Sequence, residues 1–282
     1  MSVINTNMAS LNAQHNLQKS SADLQTSIQR LSSGLRVNTA RDDAAGFGIA
    51  SSLDAKIRGE SVAIRNANDG ISYSQTAEGA LSNISNNLQR MRELAVQAAS
   101  GSYSSTDRSN LDTEFQQLNQ EITRIVKSTS FNGVNVMTGS ATVSFQVGSG
   151  TASENQITFA PVDFNSMSSM TAGASSLTAA TFGITGSDVT ASLNALGVID
   201  TALTEVNKKM VQQGAFQNRF TAVISTLSTS VENNSSARSR IVDADYAVET
   251  SKLARNQVLQ QAGMAMLAQA NQLPNNVLSL LR

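Results

Sequence analysis

Cysteine is absent from this chain, which excludes a disulfide framework, thiolate metal sites and a thiol nucleophile. His15 is the single histidine and lies among polar residues, so no second imidazole shares a metal with it and no Ser-His-acid triad can be assembled around it. Tryptophan is missing and aromatic residues reach only 4% of the 282 residues, too few to fill a broad globular centre. Proline occurs twice, so almost nothing in the chain forbids long helices. Charge of one sign is also lacking: 20 Lys and Arg face 21 Asp and Glu without a polybasic run, so nucleic acid is not an expected partner. No stretch of about 18 apolar residues occurs that could cross a bilayer as a helix. The first residues have no basic segment followed by an apolar core, so no cleaved signal peptide is expected and any export takes another route.

What remains is periodicity. Between residues 14 and 35, Leu17, Leu24 and Leu31 recur every seven residues with Ile28 and Leu35 on the adjoining row, which predicts a seam-forming helix. A second helical stretch from 44 to 99 carries Ile57, Ile64 and Ile71, then Leu81, Ile84, Leu88 and Met91 after a change of phase, read as a stutter and not a break. Ser100 to Ser105 ends it, and Thr106 is placed to cap the next helix. There Leu111, Phe115, Leu118, Ile122 and Ile125 follow at 4-3-4-3 spacing. So short a loop predicts that this helix returns antiparallel to its predecessor.

In the second half, Leu196, Leu203, Met210, Gln217, Ile224 and Val231 alternate with Ile199, Val206, Gln213, Phe220 and Leu227. The two glutamines sit mid-seam, where polar residues fix register at some cost in stability. The final segment places Leu259, Met266, Leu273 and Leu280 on one row, with Gly263, Ala270 and Val277 as a thinner second row that allows close helix approach. Pro274 should kink or end that helix. Mainly α architecture follows: long antiparallel coiled-coil helices from both ends of the chain.

Between these halves the pattern changes. Asn132-Gly133 and Thr138-Gly139-Ser140 punctuate short Val and Phe runs over 129 to 147, the signature of β-hairpins. From 166 to 186, sixteen of twenty-one residues are Ser, Thr, Gly or Ala, which predicts a small surface insertion. Chemistry has no foothold. Gly46-Phe47-Gly48 lacks the third glycine and the preceding strand of a dinucleotide loop. Asp42 and Asp43, adjacent in sequence, do not converge on one substrate, and suit the N-terminus of the helix that starts near Ala44. No catalytic residue, cofactor or metal is expected.

Five blocks carry a family resemblance: RLSSGLRVNTARDDAAGFGIA (30 to 50), LQRMRELAVQAA (88 to 99), STSFNGVNVM (128 to 137), SRIVDADYAVE (239 to 249) and MLAQANQLPNNVLSLLR (266 to 282). Together they resemble bacterial flagellin, in a short form with a minimal variable region; the likeness fails only through roughly 150 to 190. The resemblance implies a terminal coiled-coil domain from 1–40 and 241–282 that lines a filament channel, and a helical domain with β-hairpins from 41–165 and 187–240. Residues 166–186 would be the variable insertion. It implies a structural, non-catalytic subunit of the extracellular flagellar filament used for swimming, built through Leu17, Leu24, Ile28, Leu31, Leu35, Leu259, Met266, Leu273 and Leu280. A hook-filament junction protein shares the terminal helices and is the alternative.

The partners implied are further copies of the chain, flagellar cap and hook-associated proteins, a flagellar export chaperone, and host Toll-like receptor 5. Arg90, Leu94 and Glu114 match the family's block for that receptor, and LSLLR at the end resembles a segment sensed by cytosolic immune receptors. Each terminal helix has a narrow apolar stripe, too little to offset an ordering entropy of roughly 1 to 2 kcal/mol per residue. Both ends are therefore expected to order on polymerisation.

Overall fold

The computed structural model describes residues 6–138, 142–159, 162, 164, 182–186 and 189–279, the side chains of 273–279 excepted. Among them are five α-helices: α1 (Met8–Ser33), α2 (Ala44–Ala98), α3 (Ser105–Ser128), α4 (Thr190–Val242) and α5 (Tyr246–Ser279). Two small antiparallel hairpins, β1 (Ser130–Phe131) with β2 (Val134–Asn135) and β3 (Val143–Gln146) with β4 (Gln156–Phe159), lie between α3 and α4. The chain divides into two compact units, a terminal one of 1–57 with 232–282 and a central one of 58–231.

The central unit holds the continuous apolar core. From α2 come Leu81, Ile84, Leu88, Met91 and Leu94, all essentially inaccessible, and α3 adds Phe115 and Ile122 while α4 adds Ile199 and Val206. These are the rows that the seven-residue spacing marks, so the local period becomes the packing face. Arg90 on α2 reaches Glu114 on α3 while Arg108 of α3 reaches the carbonyl of Ala98, a crossing order that makes the two helices antiparallel as expected. The helix α2 runs unbroken through its phase change.

The mid-seam glutamines of α4 are satisfied and not merely tolerated. Gln213 is buried and accepts from the Ser74 hydroxyl through its side chain at 3.0 Å, and Gln217 donates to Glu78 at 2.6 Å. Glu60 likewise accepts from Ser230 at 2.8 Å, so three polar contacts pin α2 against α4 at fixed positions along both helices. Gly70 adds an apolar close approach: a Cβ there would stand 2.6 Å from the tip of the Phe220 ring.

The hairpin at Asn132-Gly133 forms as expected, with both residues at positive φ (49° and 80°), the conformation a type I′ turn demands. The Thr138-Gly139-Ser140 expectation falls largely outside the described residues. Phe131, Phe145 and Phe159 from the strands stand edge-on around Tyr73 of α2 at 5.1 to 5.9 Å. Burial of this phenol pushes its pKa up, and its hydroxyl has no hydrogen-bond partner.

Three expectations need correction. The cap of α3 is Ser104, not Thr106: Ser104 Oγ accepts from the Asp107 amide while the Asp107 carboxylate accepts from the Ser104 amide, a reciprocal box that a threonine two residues later cannot close. The stretch 166–186 is not wholly a surface insertion. Phe182 and Ile184 are buried against Phe115 and its neighbours, and Asp112 and Gln116 of α3 hold the backbone of this segment. Residues 166–181 lie outside the described residues. Of the two outcomes expected at Pro274, a kink or an end, the end is excluded: α5 continues to Ser279.

Candidate functional site: the paired ends of the chain

Within the terminal unit, α1 and α5 pack side by side and antiparallel. Ser10 Oγ donates to Asn271 Oδ1 at 2.7 Å near one end, and the Tyr246 hydroxyl donates to the Leu31 carbonyl at 2.8 Å near the other. Each helix begins and ends where its residues dictate. Asn7 caps α1 by accepting from the Ser10 amide at 3.0 Å, and Gly34 closes it in the left-handed region with its N–H on the Arg30 carbonyl. Asp43, whose carboxylate accepts from the Gly46 amide at 2.8 Å, starts α2 as expected of that residue. Asp42 serves a different turn: its carboxylate takes the amides of Asn38 and Thr39 and the Thr39 hydroxyl, which together hold it below the ordinary carboxylate range. Backbone pairing of Leu35 with Asp243 joins the two inter-helix linkers of the unit.

The seam itself is thin. On α1 the half-buried and buried row is Ser10, Ala13, Leu17, Ser20, Leu24, Ser27 and Leu31. On α5 it is Leu253, Asn256, Gln260, Gly263, Leu267 and Ala270, six positions at 3-4 spacing of which two are amides and two are tiny. Gly263 is where the helices come closest, since a Cβ built on it would stand 3.2 Å from Leu17 Cδ1. Sequence reasoning identified Leu17, Leu24, Leu31, Gly263 and Ala270 in this seam. It missed the serines and amides, for which the only signal is their 3-4 spacing.

The larger apolar residues of α5 lie elsewhere. Leu259 is 51% and Met266 64% exposed, so the row chosen for its leucines and methionines lies at the rim of the seam and does not fill it. Ile28 is 49% exposed on α1, while Leu35 is half-buried in the linker. The side chain of Leu273 and all of Leu280 lie outside the described residues. Leu17, Gly263, Leu259 and Met266 line an open groove of about 660 Å³ between the helices, with Lys19 and Asp23 at one side.

A second cluster lies on the central unit. Arg90 donates to Glu114 and to Glu93, both at 2.9 Å, with Arg90 and Glu114 about half exposed; these carboxylates push the guanidinium pKa up. Leu94, one turn along α2, is only 1% exposed and belongs to the core behind that pair. Nearby Arg92 reaches Asp200 of α4 at 2.7 Å. Solvent screens such exposed pairs, so their surface availability matters more than their strength. Among the described residues no group of acidic or histidine side chains could hold a metal, and no helix is long and apolar enough to cross a membrane.

Comparison with known proteins gives this geometry its context. Residues 4–142 match the bacterial flagellin N-terminal helical region and residues 196–281 the bacterial flagellin C-terminal helical region. The chain is 43% identical over 321 aligned residues to a flagellin of Xenorhabdus nematophila, covering all of this chain and 99% of that protein. It is 38% identical to the flagellar filament 33 kDa core protein of Treponema phagedenis, covering 99% of this chain and 100% of that one. Among solved structures, a putative flagellar hook-associated protein from Vibrio parahaemolyticus superposes with a TM-score of 0.59 at 14% identity, over 72% of this chain and 100% of that chain, a likeness of fold alone. Full-length identity and paired terminal helices coincide, and the chain belongs to the bacterial flagellin family, structural proteins of the flagellar filament and not enzymes.

Proposed function

We propose that this chain is a filament subunit whose terminal unit is completed by its neighbours, α1 and α5 becoming fully ordered as copies assemble around the filament channel. The observation that carries this reading is the reversal of burial in the terminal unit. Eleven large apolar side chains of that unit are exposed, among them Met8, Leu11, Ile28, Val258, Leu259, Met264 and Met266. Its buried apolar side chains, among the described residues, are Val37, Ala50, Val242 and Ala270. Exposed apolar rows of this extent mark association surfaces. An assembly that grows without closing needs two different complementary faces, and the α1–α5 groove, lined in part by Leu259 and Met266, is a candidate for one of them. Electron microscopy of purified protein after nucleation should reveal long tubes; short caps or soluble oligomers would favour the hook-filament junction reading instead.

On this reading the terminal domain is 1–40 with 241–282, the helical domain with hairpins occupies 41–165 and 187–240, and the filament stands outside the cell. Cap and hook-associated proteins bound the polymer at its ends, and an export chaperone covers the apolar rows beforehand. Toll-like receptor 5 would meet the exposed Arg90 and Glu114 pair, with Leu94 holding the helix in place beneath it. An Arg90→Ala filament that assembled and stimulated the receptor undiminished would remove that assignment.

A further inference from the structure

A proline inside a helix removes one donor and pushes aside the carbonyl four residues earlier. For Pro274 in α5 that carbonyl belongs to Ala270, and no N–H of its own helix stands at the fourth position. Ala270 is 93% buried, so water cannot freely supply the missing partner. The Asn7 side chain supplies it: Asn7 Nδ2 donates to the Ala270 carbonyl at 2.7 Å, from the opposite helix and 263 residues away in sequence. The same side chain uses its oxygen to cap α1 on the Ser10 amide, and Ser10 in turn donates to Asn271.

We propose that Asn7 is the registering residue of the paired ends, its amide replacing the donor that Pro274 lacks and so fixing α1 against α5 at one position. The seam needs such a device. A slip of one heptad brings Ala270 to the place of Gly263 and Gly263 to that of Asn256, and only the Leu253, Gln260 and Leu267 positions change between leucine and amide, so the seam separates neighbouring registers by few contacts. Upstream of its last turn α5 has one carbonyl orphaned in this way, because Pro274 is its single proline. Asn7 meets it only in the observed register. The proline is therefore part of the pairing code, where the periodicity alone marks it as a helix breaker. The reading rests on the two ends being paired for assembly, but the pairing itself can be measured without a filament.

The chain has no native cysteine, and a Cβ on Gly263 would stand 3.9 Å from Leu17 Cβ, close to disulfide geometry. Leu17→Cys with Gly263→Cys thus reports the register in the full chain, soluble or polymerised. Asn7→Ser retains a good helix cap but is too short to bridge to α5. It should slow crosslink formation roughly two- to tenfold, the weight of one buried hydrogen bond. Pro274→Ala returns an N–H to the Ala270 carbonyl, so in that background Asn7→Ser should change the crosslinking rate by less than about half the effect seen with proline present. Equal slowing in both backgrounds, or none in either, overturns the proposal. A chain that crosslinks as stated but grows no tubes would leave the register device standing and count against the filament reading.

Discussion

The two units solve opposite problems with the same helical grammar. In the central unit, heptad rows of Leu, Ile, Met and Phe turn inward and meet the hairpins, leaving Val62, Val96, Val134, Leu193 and Val211 as its exposed large apolar residues among those described. In the terminal unit the inward rows mix Leu17, Leu24, Leu31, Leu253 and Leu267 with serines, amides, Gly263 and Ala270, while Leu11, Leu259, Met264 and Met266 are exposed. A core that closes on itself can spend its large side chains internally. A subunit that completes its core with other copies keeps many of them on the surface, and its intramolecular contact is a thin row in which a few leucines alternate with small residues and side-chain amides.

The largest contrast should come from removing one of the paired ends. Deleting 253–282 is expected to abolish filament growth while leaving a soluble chain that retains the cooperative unfolding of the central unit, read by sedimentation and circular dichroism; filaments of normal length from that truncation would end the pairing account. Next in size is a matched pair of substitutions. Leu88→Ala, at a fully buried position, should cost about 2 to 5 kcal/mol in denaturant unfolding. Leu259→Ala, at 51% exposure, should change the soluble chain by less than about 0.5 kcal/mol yet raise the concentration needed for polymerisation. Comparable stability losses would erase the difference between the units.

The smallest effect concerns acid. Hydrogen bonds from Ser104 hold the Asp107 carboxyl below its ordinary value of 3.8, so the unfolded chain takes up this proton first as pH falls. The stabilisation from the α3 cap is present above that ordinary value and lost as pH drops through the depressed one. Asp107→Asn should flatten this part of the acid-unfolding curve, while a curve unchanged in shape would separate the cap from acid stability.

Much of this contrast was legible in the residues, and the misses have one cause. Spacing alone located α2, α3 and α4 because their large apolar residues face a core made by the same chain, and Asn132-Gly133 marked its turn because only such residues adopt two successive positive φ values readily. In α5, however, Leu259 and Met266 stand exposed at the rim of the seam, and the row that packs on α1 contains Asn256, Gln260 and Gly263 beside Leu253 and Leu267. Reading size as inwardness presumes that the core closes within one copy. Pro274 misleads for a related reason: its missing donor is made good across the pair by Asn7, a partner 263 residues distant from Ala270 that no local window contains. The cap of α3 was missed more simply, since Ser104 and Asp107 form the reciprocal box two residues before the threonine chosen for it.

The central claim is that the terminal unit acquires its order from neighbouring copies while the central unit brings its own. Hydrogen exchange on one preparation, before and after polymerisation, tests it most directly. Amides of 5 to 33 and 250 to 280 should exchange quickly in the soluble chain and become protected in the polymer, while those of α2 around Leu81 to Leu94 are slow in both. Full protection of both ends in the soluble chain would contradict it.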